Sequence, residues 1–228
     1  METMNDVRSF GGSDVRQFTK APDDGDQDFR RDFPERSNGR TPEHSNALSV
    51  LIARAALYKA LSVALAHPGP PVRAFLAGGL ADRVEAAVAA LGAADDLGEA
   101  AAALRTAAGR ADDLEGEYNR LFRTGLACTP YETAYDPLRE VRTGAVLADV
   151  AGFYEAFGLR PSATTGEQPD HIAAELEFMS LALAREAEAR AEGLDEEADR
   201  CADAARKFLA DHLGAWGPAF AARLAREA

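Results

Sequence analysis

Cysteine is almost absent. Cys128 and Cys201 are the only two in 228 residues, and they lie far apart without a Cys-x-x-Cys pairing, so neither a disulfide framework nor a thiolate metal site is indicated. Lysine is nearly as scarce, with Lys20, Lys59 and Lys207 alone. Acids outnumber bases 38 to 25, for a formal net charge of −13. Such a surface repels nucleic acid and anionic membranes, which both need a basic face, and welcomes a cationic partner. No run is expected to reach the roughly 18 apolar residues of a membrane span, and Met1 to Phe10 lacks the apolar centre of a secretory signal. A cytoplasmic protein with no nucleic acid partner and no stable membrane insertion is expected. Also missing are a phosphate-cradling glycine loop, a His-Glu-x-x-His pairing and a solenoid period, so no cofactor is expected.

The chain is rich in Ala, Leu, Arg, Glu and Asp, and its β-branched residues never gather into alternating runs. The expected class is all-α: a single-domain helical bundle over 41–228, preceded by a disordered tail over 1–40. The tail contains Arg30-Arg31-Asp32-Phe33, which resembles the core of a twin-arginine export signal, but Pro34, Glu35 and Arg36 follow where that signal needs apolar residues, so export is not expected. A first core helix opens at Thr41-Pro42-Glu43 and stops before Pro68-Gly69-Pro70-Pro71. Short Ala-rich helices follow over 72–77, 81–91 and 97–108, with no visible chemistry. Leu138 to Phe157 reads as a helix with Val141, Ala145, Val146, Val150, Phe153, Tyr154 and Phe157 apolar, and Leu159 to Gly166 as a linker that can flex. Further helices are expected from Pro169 to Glu192, from Asp195 to His212, and a short one from Trp216.

Three stretches carry candidate chemistry. In Glu167-Gln168-Pro169-Asp170-His171-Ile172-Ala173-Ala174-Glu175, a polar loop turns into a helix, with Pro169 suited to the first turn and Asp170 favoured by the dipole. His171 and Glu175 then share one face. Tyr118, Leu121 and Phe122 form an aromatic and aliphatic patch on an earlier helix, and Leu121 and Phe122 read most simply as core. Between prolines 130 and 137, the loop with Tyr131, Glu132, Tyr135 and Asp136 is polar enough to be exposed and aromatic enough to bind.

Together these segments resemble the signatures of the TorD/DmsD/NarJ family of molybdoenzyme maturation chaperones: Tyr118-x-x-Leu121-Phe122 with Pro130-Tyr131-Glu132, then Glu167-x-Pro169-Asp170-His171 and Glu175. The likeness extends over about Ser45 to Leu224, with Thr133 where members often have serine. It implies a TorD-like helical fold, no catalysis, and binding of the twin-arginine (Tat) signal peptide of a molybdopterin-dependent oxidoreductase precursor while its cofactor is inserted. The Tat translocon or the cofactor-insertion machinery would be further partners. On this view Glu132, Glu167 and Asp170 offer carboxylates to the two arginines, and Tyr118, Phe122, Tyr131 and Phe178 wall an apolar groove. His171 either holds the loop against the helix or touches the ligand.

Other readings stay open at this point. A NarJ-like chaperone would serve a subunit that is not exported, a metal-dependent hydrolase would use His171 and Glu175 with Glu132, and a plain helical scaffold would have no peptide site. The Arg30-Arg31 segment is also a candidate internal mimic of a client peptide.

Overall fold

The computed structural model describes residues 17–20, 42–108, 114–124, 128–162 and 166–227. Thr41, the Arg30-Arg31 pair and the rest of the expected tail apart from 17–20 lie outside the described residues. In chain order come strand β1 (Phe18–Lys20) and helices α1 (Pro42–Ala64), α2 (Pro70–Ala77), α3 (Leu80–Ala90), α4 (Ala94–Ala108) and α5 (Leu114–Tyr118). Helix α5 runs on as a π-helical turn over Asn119–Thr124. A 3-10 turn (Glu132–Ala134), helix α6 (Arg139–Ala156), strand β2 (Leu159–Pro161) and helices α7 (Ile172–Glu192) and α8 (Asp195–Phe208) follow. A second π-helical segment (Leu209–Leu213) leads into α9 (Gly214–Glu227). The all-α expectation holds, with helices making up nearly all of the described structure.

Helix α7 is the axis of the molecule. Its first nine residues, Ile172 to Ser180, are all buried, including Glu175, Glu177 and Ser180, which find hydrogen-bond partners on neighbouring elements. Alanines 173, 174 and 182 let neighbours approach closely, and α1 and α8 pack along it. The helix stops at Gly193 in the left-handed conformation (φ 76°), as the sequence predicts. At the centre, the Phe178 ring lies 4.6 Å from Phe208, 5.1 Å from Phe157 and 5.3 Å from Tyr154. Phe178 is therefore a core residue and not the groove wall expected from the resemblance, because its position on α7 faces the aromatic rings of α6 and α8.

Helix α1 corrects another expectation. Ser45–Ala64 is long and apolar enough to cross a membrane by length and composition, because alanines extend the run between its charges. In this fold one face is bonded to α7: Lys59 Nζ donates to Glu177 Oε1 at 2.7 Å, the Ser62 hydroxyl to the Ala173 carbonyl at 2.8 Å, and the Ser180 hydroxyl to the Ala55 carbonyl at 2.9 Å. These bonds fix the rotation of α1 against α7.

Glu177 also accepts the Gln17 N–H at 2.5 Å, which draws in part of the presumed tail. Strand β1 pairs antiparallel with β2, Phe18 opposite Pro161 and Lys20 opposite Leu159. Phe18 is buried with its ring edge-on to Tyr154 at 4.6 Å. Thus 17–20 are ordered and 159–161 form a strand where a flexible linker was expected, since burying Phe18 and satisfying Glu177 offset the cost of ordering them.

At the other end, α9 is longer than the predicted short helix. The π-helical segment before it brings the Leu209 carbonyl onto the place where a Cβ on residue 214 would stand, so only glycine fits at Gly214.

Candidate functional site

The loop from Pro130 to Tyr135 lies against the chain entering α7. Tyr131 and His171 form an antiparallel bridge. Beside it the Glu132 N–H donates to the Asp170 carbonyl at 3.0 Å and the Ile172 N–H to the Pro130 carbonyl at 2.9 Å. The Asp170 carboxylate accepts the Thr133 N–H at 3.0 Å and the Thr133 hydroxyl at 2.7 Å. Threonine thus keeps the hydroxyl that a serine would supply. The Tyr154 hydroxyl donates to the Pro169 carbonyl at 2.8 Å. With Pro169 and Asp170 engaged sideways, the helix begins at Ile172 and not at Pro169. His171 is its N-cap, extended at φ −73° and ψ 135°, with Nδ1 accepting the Ala173 N–H at 3.1 Å. Burial pushes the His171 pKa below its ordinary value despite the Glu167 and Asp170 charges. The ring is therefore neutral and serves the capping role.

On the outer side of this junction the Tyr131 hydroxyl donates to Glu167, whose other oxygen lies 3.3 Å from Arg123 Nη2. Burial, then the hydrogen bond to Glu167, raises the Tyr131 pKa, so it stays a neutral donor. Arg123 in turn sits 6.0 Å from the Tyr118 ring centroid. The chain Tyr131, Glu167, Arg123, Tyr118 joins the predicted segments physically.

The other predicted acids point inward. Asp170 and Glu175 are 0% exposed and Glu132 is 9% exposed. They are not presented to a ligand's guanidinium groups, because the chain's own donors hold them. Glu175 Oε2 accepts the Trp216 indole N–H at 3.0 Å. Glu132 lies 3.1 Å from His212 Nδ1, whose Nε2 is 3.3 Å from Asp149 Oδ2. Burial, with the Glu132 charge adding, pushes the Glu175 pKa well up. For His212, burial opposes the charge, but the bond to Glu132 and the Asp149 carboxylate outweigh it and the pKa is raised. Thr133, His212 and Trp216 complete this network. Sequence spacing did not mark them, since each meets its partner only through the tertiary fold.

This network sets a pH dependence. A folded-state pKa above the unfolded one contributes stability that is complete below the unfolded value and is lost as pH rises through the folded value. Both Glu175 and His212 act in that direction, from above 4.5 and 6.5 respectively. Glu175→Gln keeps an acceptor for Trp216 and removes one titration. Relative to wild type, its stability should therefore rise as the pH increases above the ordinary glutamate value of 4.5. Urea unfolding at several pH values checks this, and a pH-independent difference would contradict it.

Tyr118, Leu121 and Phe122 do come together, on the wall of an apolar cleft of about 280 Å³. Its other walls are the end of α1 with Leu65 and Pro68, Val72 and Leu76 of α2, Leu80 of α3, Leu104 of α4 and Leu224 of α9. Glu117 is the one charged residue among the described lining residues. It pairs with Arg120 at 2.9 Å. His67 sits just past the end of α1 with its ring 5.1 Å from Tyr118. Helices α2 to α4 show no chemistry in sequence, yet they supply Val72, Leu76, Leu80, Ala81 and Leu104 to this cleft. The available signal is the four-residue spacing of Val72, Leu76 and Leu80, which Gly78-Gly79 interrupts.

An all-helical domain with its carboxylates tied internally and an apolar cleft at one end defines a helical binding protein. Among the described residues no group of three or more His, Cys, Asp or Glu is placed to hold a metal. The chain belongs to the nitrate reductase delta subunit family, whose model matches residues 80–222. It is 38% identical over 116 residues to the chlorate reductase assembly chaperone protein of Ideonella dechloratans, covering 50% of this chain and 58% of that protein. It is 36% identical over 116 residues, with the same coverage, to the selenate reductase assembly chaperone protein of Thauera selenatis. To the perchlorate reductase assembly chaperone protein of Dechloromonas aromatica it is 34% identical over 110 residues, 47% of each chain. The matched region thus spans about half the length of these relatives. No solved structure matches the chain. The family match runs from α3 into α9 and takes in all three segments that carry the resemblance. Helices α1 and α2, which form one side of the cleft, precede it.

Proposed function

We propose that this protein is a cytoplasmic assembly chaperone for a molybdopterin-dependent reductase, and that its cleft holds the N-terminal segment of the precursor while the cofactor is inserted. The observation that carries this reading is the cleft, an apolar trough in a chain of net charge −13. A Tat signal offers two arginines followed by an apolar, helix-forming stretch, and such a stretch gains by burying its apolar face in a groove. The relatives named as reductase assembly chaperones support the client class. Glu117 on the cleft lining and Glu115 in the same first turn of α5 would meet the arginines, in place of the buried Glu132 and Asp170. The overall acidity would speed encounter and weaken with salt.

The buried acids take a supporting role. Asp170 holds the two loops together and so keeps Tyr131, Glu167 and Arg123 beside Tyr118. A hydrolase using His171 and Glu175 is not favoured, because His171 Nδ1 caps α7 and Glu175 serves Trp216. The inward-facing acids favour a second reading, in which the client segment is apolar but lacks the arginine pair, as for a subunit that is not exported.

Calorimetry with the client's N-terminal peptide separates these readings. Binding that weakens about tenfold or more in Leu104→Glu, a charge placed on the cleft wall, supports the site. Loss on replacing the two arginines supports the Tat reading, and insensitivity to that change the second one. No heat at any salt concentration would overturn both.

A further inference from the structure

We propose that α6 pairs antiparallel with α6 of a second copy of this chain through its exposed face. Leu138, Val141, Ala145, Ala148 and Gly152 recur at alternating spacings of three and four, which places them in one stripe. The stripe points away from the core. Val141 is 82% and Leu138 57% exposed, and the other three are exposed as well. The buried side of the same helix is carried by Val146, Val150 and Tyr154, so α6 is apolar on two opposite faces and only one is covered by the described residues.

The stripe is bulky at its N-terminal end and small at its C-terminal end. Among the described residues a Cβ at Gly144 or Gly152 would meet nothing within 4 Å, and neither has a positive φ. Each glycine weakens the helix relative to alanine, with nothing in the fold requiring it. Close approach of another backbone would. A two-fold axis passing between Ala145 and Ala148 sets Val141 of one copy into the space at Gly152 of the other. A parallel pairing would set Val141 on Val141 and leave the gap at Gly152 unfilled.

Charge selects the same arrangement. Arg142 and Asp149 flank the stripe on one side, seven residues apart. Arg142 is 3.4 Å from Asp136 and Asp149 is 3.3 Å from His212, yet both side chains remain more than half exposed. Antiparallel pairing brings Arg142 of each copy towards Asp149 of the other, whereas parallel pairing sets the two flanks on opposite sides of the seam and leaves Arg142 without Asp149. The surface is therefore complementary to itself, the condition for a two-fold interface. Its small extent predicts a weak, concentration-dependent dimer.

Sedimentation equilibrium of the full chain over a micromolar to near-millimolar range tests this. A monomer–dimer equilibrium is expected, and Val141→Glu should raise its dissociation constant about tenfold or more without changing helicity or melting. Arg142→Asp should weaken the dimer and Arg142→Asp with Asp149→Arg should restore it, with melting followed because Asp149 also meets His212. A chain monomeric at every concentration, or a dimer indifferent to Val141→Glu, would overturn the proposal. Failure of the charge swap to restore association in a stably folded variant would overturn the antiparallel arrangement.

Discussion

Phe178→Ala should lower the free energy of unfolding by about 4 kcal/mol, the cost typical of truncating a fully buried phenylalanine. The ring is 0% exposed. It touches Phe153, Tyr154 and Phe157 from α6 and Phe208 from α8. Few of these can move into the space, since Tyr154 is tethered through its hydroxyl to Pro169. The loss therefore includes both transfer free energy and a cavity that cannot collapse. Urea unfolding checks it, with Phe178→Leu as a milder control expected to cost less. A loss below about 1 kcal/mol would mean that α6 and α8 do not rest on this ring.

Asp170→Ala should cost about 3 kcal/mol, the scale for removing one partner of a buried, charge-assisted hydrogen-bond set. Two donors of Thr133 would lose their acceptor in a part-buried site. The conservative change Thr133→Ser retains both donors and should cost less than about 1 kcal/mol, whereas Thr133→Ala loses the hydroxyl alone and should fall between. The same unfolding measurements decide the order. Equal effects of Thr133→Ser and Asp170→Ala would show that packing, and not the carboxylate, holds the loops.

The fold class was legible because helix signals are local. Alanine-rich composition, Pro42 and Pro70 near helix starts and Gly193 at a helix end each act within a few residues. What could not be read locally depended on distant partners. Glu177 resembles any helical glutamate until Lys59 and Gln17 close on it, and only then do residues 17–20 leave the expected tail. Val141 and Val146 are equally apolar, and nothing short of the tertiary packing says that one is exposed and the other buried.

The candidate site divides in the same way. Tyr118, Leu121 and Phe122 were found from helical spacing, and they do line the cleft. Asp170, His171 and Glu175 were found from their density of titratable groups, but that density marks a buried junction in which each is bonded through one atom to the chain's own donors. A carboxylate beside a helix start can read a ligand or hold its own chain, and Thr133, supplied from 37 residues away, decides it. Helices α2 to α4 were passed over because their apolar residues are sparse among alanines, yet sparseness is what leaves room for a cleft.

Hydrogen exchange on the full chain, with and without the N-terminal peptide of its client reductase, tests the central claim most directly. Peptide binding in the cleft predicts slowed exchange in residues 64–81 and 114–122, with 172–192 unchanged because α7 is already buried. Slowed exchange confined to other surfaces, or none at saturating peptide, would contradict it.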